Sequence, residues 1–174
     1  NLEKNYLASQ DSFHTTWSDI NVSCEACHGP GKNHVDFVES EKIEDATVDR
    51  IRSDLKLTGS TSQRGQILQC AQCHSLREEV TDDYSHEGDF LNHFNPTLIQ
   101  RPAYFADGQI KEEVYVYGSF LQSKMFKEGV ECTDCHDPHT LELKANISDN
   151  SLCMDCHEPN YNTPEHHFHE PNTE

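Results

Sequence analysis

Four five-residue motifs decide the fold of this 174-residue chain: Cys24-Glu25-Ala26-Cys27-His28, Cys70-Ala71-Gln72-Cys73-His74, Cys132-Thr133-Asp134-Cys135-His136 and Cys153-Met154-Asp155-Cys156-His157. We number them motifs 1 to 4 in chain order. Together they contain all eight cysteines, and in each of them a Cys-x-x-Cys pair is followed directly by histidine. Under random placement of the 12 histidines, four such coincidences have a probability on the order of 10⁻⁵.

This pattern is the signature of covalent c-type haem attachment. The two thiols add across the two vinyl groups of one porphyrin, and the histidine lies under the iron as its proximal ligand. On a helical turn, residues i, i+3 and i+4 share one face, so all three side chains reach one cofactor. The sequence therefore predicts four haems c, with His28, His74, His136 and His157 as proximal ligands.

Three other uses of the cysteines were weighed. Eight cysteines in an exported protein are compatible with a disulfide framework. Two pairs separated by 17 residues, Cys132/Cys135 and Cys153/Cys156, have the spacing of a zinc ribbon. A thioredoxin-like redox motif needs one pair rather than four. The histidine after every pair favours haem over all three alternatives.

The composition agrees with a large non-polypeptide group in the core. Only 34% of the residues are apolar and the mean hydropathy is −0.80, so the chain alone has little surface to bury. The formal net charge of −18 excludes nucleic acid as a partner and favours a basic or neutral one. No apolar run reaches the roughly 20 residues of a transmembrane helix. The first residues do not resemble an export signal, and we expect a mature or trimmed form.

The second axial ligands are expected to be histidines, because Met125 and Met154 are the only methionines and the latter lies inside a motif. Eight histidines lie outside the motifs: His14, His34, His86, His93, His139, His166, His167 and His169. Bis-histidine iron has a lower potential than histidine–methionine iron. Gly29-Pro30-Gly31 after motif 1 and Pro138 after motif 3 are expected to end any helix and to change the direction of the chain. We therefore expect His34 and His139 to ligate a haem other than the one bound by the preceding motif.

Residues 1–174 are predicted to form a single tetrahaem domain. We expect a mostly α fold with much irregular loop and little or no β-sheet, wrapped around a stacked tetrahaem array. Expected helices begin after Thr47, near residues 61–64 and at Asp149-Asn150-Ser151, and another spans Ser119 to Lys127 before Gly129. Residues 77–113 carry Pro96, Pro102 and Gly108 and are predicted to be mostly loop.

The chain resembles the cytochrome c-554-like multihaem cytochromes, which are related in haem architecture to hydroxylamine oxidoreductase. The resemblance rests on residues 16–31, 106–110, 117–123, 132–139 and 163–169. It implies closely stacked, mostly bis-histidine haems that handle electrons outside the cytoplasm. It also implies that His34, His93 and His139 are distal ligands, with one histidine of the 166–169 cluster, taken here as His167, as the fourth.

The predicted function is electron transfer in the periplasm or outside the cell, without catalysis. The expected partners are other redox proteins or copies of the same chain. Two alternatives stay open. The chain could be the subunit of an extracellular cytochrome filament, or a nitrogen-oxide or hydroxylamine redox enzyme with one open iron site. The surplus of histidines argues against an open site.

Overall fold

The computed structural model describes residues 2–55, 62–81, 84 and 89–167, without the side chains of Glu41, Lys42 and His167. The candidate ligands His86 and His169 lie outside these residues, as does Thr61, the first residue of the helix start predicted near residues 61–64. The chain divides into two compact units, residues 1–120 (unit 1) and residues 121–174 (unit 2). Motifs 1 and 2 belong to unit 1 and motifs 3 and 4 belong to unit 2. The prediction of a single domain over residues 1–174 stays a prediction.

Unit 1 begins with a chain reversal built from two short antiparallel pairs. The strands are β1 (Leu2–Glu3), β2 (Tyr6–Leu7), β3 (Ser12–Phe13) and β4 (Thr16–Trp17), and β1 pairs with β4 while β2 pairs with β3. Asn5 and Asp11 have positive φ angles of 46° and 45° at the breaks between these strands. Local turn geometry thus forms the hairpin, and its strands are almost entirely exposed.

Short helices follow and carry the first two motifs. They are α1 (Cys24–His28), α2 (Lys32–Val38), a 3₁₀ helix (Glu41–Asp45), α3 (Val48–Arg52) and α4 (Gln63–His74). The predicted start after Thr47 is confirmed, because the Thr47 side chain accepts a hydrogen bond from the Arg50 backbone N–H. Ser62 caps α4 in the same way through the Gly65 N–H. Both caps satisfy amides that a helix leaves unpaired at its N-terminus.

The rest of unit 1 surrounds a small polypeptide core. It contains β5 (Arg77–Glu79), a 3₁₀ helix (Phe90–Asn92) and β6 (Phe94–Pro96), which pairs with β5, and it leads into α5 (Tyr117–Gln122). One buried cluster joins Ala71 of α4 to Phe90 and Phe94. A second cluster consists of Ala103, Tyr104 and Val114. The prediction that residues 77–113 are mostly loop is confirmed for the described residues, since β5, the 3₁₀ helix and β6 contribute only three residues each. The stretch nevertheless holds most of the buried apolar residues described.

Unit 2 has short elements and little interior. Its elements are α6 (Lys124–Lys127), α7 (Cys132–Cys135), β7 (His136–Asp137), β8 (Glu142–Leu143), α8 (Ser151–Met154), a 3₁₀ helix (Pro159–Tyr161) and α9 (Pro164–His167). Strands β7 and β8 form an antiparallel pair around a turn in which Leu141 has a φ of 62°. Among the described residues of unit 2, no side chain is fully buried.

The prediction of a mostly α fold with little or no β-sheet is wrong. In the part of the chain that the structure describes, helices of three to twelve residues are interspersed with four two-stranded antiparallel sheets. The strands escaped detection because they are two or three residues long and lack apolar alternation, as in the sequence Arg-Glu-Glu of β5. The expected helix before Gly129 is present as α5 and α6, interrupted at Ser123. None of the described helices is long and apolar enough to cross a membrane.

Candidate functional site: paired haem-attachment motifs

The four motifs lie on different local structures. Motif 1 fills α1, and motif 2 forms the last turn of α4, so both place their cysteines and histidine at helical spacing. Motif 3 begins in α7 and places His136 in β7, and motif 4 begins in α8 and ends in the turn after it. The helical arrangement is thus confirmed for motifs 1 and 2 and holds for part of motifs 3 and 4.

None of the eight motif cysteines forms a disulfide bond. Cys24, Cys73, Cys153 and Cys156 are exposed, and the other four, Cys27, Cys70, Cys132 and Cys135, are partly buried. No disulfide joins them, although the disulfide framework was one alternative. Nor do three or more His, Cys, Asp or Glu side chains converge on a metal-sized site among the described residues. The choice between zinc and haem therefore rests on the histidine that follows every cysteine pair, which favours haem.

Motifs 1 and 2 lie beside each other within unit 1. The Gln69 amide donates to the Cys27 carbonyl at 3.2 Å, and the Gln72 amide donates to the Ala26 carbonyl at 3.1 Å. Burial raises the pKa of the Cys27 thiol, with smaller contributions from Cys73 and Cys24. An electrostatic effect of Cys73 on Cys27 requires the two attachment cysteines to be close.

Motifs 3 and 4 are also neighbours, within unit 2. Burial raises the pKa of the Cys135 thiol, followed by the effects of Asp134, Cys156 and Cys153. Both cysteines of motif 4 therefore act on a cysteine of motif 3. The backbone of motif 3 is fixed on one side by the Asp134 side chain, which accepts from the Glu131 N–H at 2.7 Å. On the other side the Lys144 N–H donates to the Cys135 carbonyl at 2.9 Å.

The predicted cap around residues 149–151 is present in part: Asp149 accepts from the first helical amide, whereas the N-cap residue Asn150 makes no side-chain capping bond. The Asp149 carboxylate accepts hydrogen bonds from the Ser151 backbone N–H at 3.0 Å and from the Ser151 hydroxyl at 2.6 Å. These bonds favour the charged carboxylate and lower the pKa of Asp149. Asn150, which directly precedes α8, has a left-handed backbone with a φ of 60°.

His34 is oriented by the backbone of α3. Its Nδ1 lies 2.8 Å from the Ile51 carbonyl oxygen, and a carbonyl accepts but does not donate. In neutral His34 the proton is therefore on Nδ1, and the lone pair is on Nε2, where it is available to a metal. His34 also lines an open cleft of about 530 Å³ together with Cys24 and His28 of motif 1.

His93 has a comparable environment beside the aromatic core. Its Nδ1 lies 2.9 Å from the Thr81 hydroxyl, and its ring contacts the edge of Tyr84 at a centroid distance of 5.1 Å. Burial raises the pKa of the Tyr84 hydroxyl, and Cys73 of motif 2 adds to the effect. Tyr84 therefore contacts His93 on one side and is influenced by Cys73 of motif 2.

The candidate ligands of unit 2 whose side chains the structure describes, His139 and His166, are exposed. The His139 backbone N–H donates to the Asp137 carboxylate at 2.9 Å, in the turn between β7 and β8. His166 packs edge-on against Tyr161 at 4.6 Å, and Tyr161 contacts His157 of motif 4 at 5.6 Å. The backbone of His167 lies in α9. The structure thus brings one terminal histidine near motif 4, and the assignment of distal ligands stays a prediction.

The surroundings of the motifs fit a large apolar group. Large apolar side chains near motifs 3 and 4 are exposed, among them Leu141 (87%), Ile147 (61%) and Met125 (48%). Exposing these side chains to water is unfavourable, and packing them against a porphyrin face would remove their apolar surface from water. Two thiols and an imidazole at each motif are the donor set that covalent haem requires. When bound, the haem supplies reversible one-electron chemistry at iron.

Comparison with protein families gives one match. Residues 124–162, which include motifs 3 and 4, match the family model described as the doubled CXXCH motif. This match covers less than a quarter of the chain and indicates covalent c-type haem binding at motifs 3 and 4, as in electron-transfer cytochromes. No curated protein and no solved structure matches the chain. The doubled-motif match carries no information on the cytochrome c-554-like resemblance, which stays a prediction.

Sequence reasoning did not identify the residues that support the motifs. Gln69, Gln72, Thr81 and Tyr84 were not singled out, although all four contact a motif or a candidate ligand. One signal was present, because Gln72 occupies a position between the cysteines of motif 2. An amide between the two attachment cysteines would lie next to the haem. Its hydrogen-bond partner 46 residues away could not be predicted.

Proposed function

We propose that this cytochrome carries four covalent haems and passes electrons among them. The observation that carries the proposal is the pairing of the motifs: each compact unit holds two complete motifs, and in unit 1 the side chains of Gln69 and Gln72 bond motif 1 to the helix of motif 2. Haems attached to neighbouring motifs lie close together, which favours electron exchange within each pair. The doubled-motif match supports the pair in unit 2, and the identical motif pattern supports the pair in unit 1.

The proposed coordination is bis-histidine. His28, His74, His136 and His157 supply the proximal ligands, and His34, His93, His139 and His167 supply the distal ones. The hydrogen bond from His34 Nδ1 to Ile51 supports this role, because metal-binding histidines commonly donate their other ring N–H to a carbonyl. Two imidazoles per iron and a net charge of −18 both stabilise the oxidised, more positive iron. We therefore expect low reduction potentials.

The proposed role is transfer between redox partners outside the cytoplasm, in the periplasm or at the cell exterior, without a substrate reaction. The negative charge supports a basic partner surface, since complementary charge accelerates association. An enzyme would need one iron without a distal ligand and acid–base groups beside it. The supply of histidines near the motifs supports full coordination instead.

Spectroscopy of the oxidised protein tests this proposal. We expect low-spin signals from all haems, complete reduction by a low-potential donor and rapid reoxidation by a basic cytochrome. Nitrite and hydroxylamine should leave the spectrum unchanged. A dominant high-spin signal that shifts when either compound is added would contradict the proposal and support the enzyme alternative.

A further inference from the structure

Two glutamine side chains join the first haem motif to the second. Gln69 and Gln72 both lie on α4, and their amides donate to the carbonyls of Cys27 and Ala26 in motif 1. We propose that this pair, which we call the glutamine clamp, fixes the first haem relative to the second. Gln69 and Gln72 are then positioning residues for electron exchange in unit 1. The inference rests on the proposed function, because it requires haems on motifs 1 and 2.

Motif 1 depends on other segments for its position. Helix α1 has five residues, no buried side chain and no side-chain cap at Ser23. A helix this short is not stable by itself in water. Its location must therefore come from contacts with its neighbours, and the two bonds from α4 act on the residues that carry or separate its thiols.

Helix α4 can provide that location because it is anchored in the polypeptide core. Ala71 is 1% exposed and packs with Phe90 and Phe94. The Gln72 carbonyl accepts a 2.6 Å hydrogen bond from Arg77 Nε, and the guanidinium lies 4.4 Å from the centre of the Phe94 ring. The backbone at Gln72 is thus held by Arg77 and the aromatic core.

The position of Gln72 makes the connection direct. It lies between Cys70 and Cys73, and its amide bonds to Ala26, which lies between Cys24 and Cys27. The residues that separate the thiols of one haem are therefore bonded to those that separate the thiols of the other. Because thioethers fix a porphyrin edge to these backbones, a change in this bond would move one haem relative to the other.

Burial makes the contact specific. Gln72 is 6% exposed, and a buried amide requires a hydrogen-bond partner. The Ala26 carbonyl accepts this hydrogen bond only when motif 1 lies in its observed position relative to motif 2. In any other relative position the buried Gln72 amide would lose this partner, which is unfavourable. Gln69 adds a second bond one residue along motif 1, and two bonds restrict rotation as well as separation.

The test compares the holoprotein with the variants Gln72→Met and Gln69→Met, which remove the amide and keep a side chain of similar length. Gln109→Met is the matched control, since it removes an amide that bonds Asp107 at 3.1 Å in an exposed turn of the same unit. Intact mass gives the number of covalent haems. Circular dichroism in the Soret band reports the coupling between neighbouring porphyrins. Subtracting the wild-type spectrum from the variant spectrum removes the contribution of the haem pair in unit 2.

We expect all variants to retain the wild-type number of haems. The coupling signal should decrease in Gln72→Met and Gln69→Met and stay unchanged in Gln109→Met. An unchanged signal in Gln72→Met with full haem content would overturn the inference, even if the melting temperature fell. If Gln72→Met does not mature, Gln69→Met decides by the same criterion. A wild-type protein without haem on residues 24–73 would instead refute the tetrahaem proposal.

Discussion

Replacing Phe94 by alanine should destabilise α4 strongly. Phe94 is 5% exposed, its ring lies 5.0 Å from Tyr84 and 5.1 Å from Phe90, and Arg77 covers one face. Removing about 170 Å² of buried apolar surface at about 25 cal/mol/Å² costs about 4 kcal/mol, within the range for Phe→Ala substitutions. Because this cluster includes Ala71 of α4, the loss of stability should appear as faster exchange of the backbone amides of α4.

Native-state hydrogen exchange of the α4 amides measures this loss. A change of about 4 kcal/mol corresponds to roughly 10³-fold faster exchange, at about 1.4 kcal/mol per tenfold change. Phe105→Ala is the control, because Phe105 is 51% exposed, and it should change α4 by less than about 1 kcal/mol. Acceleration of α4 exchange by less than about tenfold in Phe94→Ala would refute the reasoning that this cluster anchors α4.

Three further predictions concern packing, acid stability and coordination. Gly118→Ala places a methyl group against the buried Tyr104 hydroxyl and should cost about 1–3 kcal/mol in thermal unfolding, whereas Gly31→Ala should cost little. Asp149 has a lowered pKa in the folded state, so its stabilisation is present above about pH 4 and is lost on acidification through the lowered value. Asp149→Ala should therefore reduce the acid-induced loss seen in unfolding curves. His139→Met should raise the potential of one haem in a redox titration, with no loss of covalent haem. An unchanged set of potentials would remove His139 from the ligands.

The sequence was sufficient for the chemistry of the motifs but insufficient for the surrounding fold. Thiol and imidazole spacing is a local property, so Cys70, Cys73 and His74 could be assigned without knowing their neighbours. The caps at Thr47 and Ser62 were also local and predictable. The pairing of motif 1 with motif 2 depends on side chains more than 40 residues away, which no periodicity reports.

The strands and the core were missed for a related physical reason. Strands β5 and β6 have three residues each, and Phe94 is the one buried residue in the pair, so no alternation of apolar residues marks them. Proline and glycine in residues 77–113 correctly indicate turns, but they do not exclude buried residues such as Tyr104 between them. A fold partly organised by its cofactors leaves a weak apolar pattern in its sequence.

Mass spectrometry of the denatured protein tests the central claim most directly. The intact chain should carry four covalently retained haems, and peptide mapping should place one on each cysteine pair of motifs 1 to 4. The bare polypeptide mass would contradict the account, as would haems confined to residues 132–157.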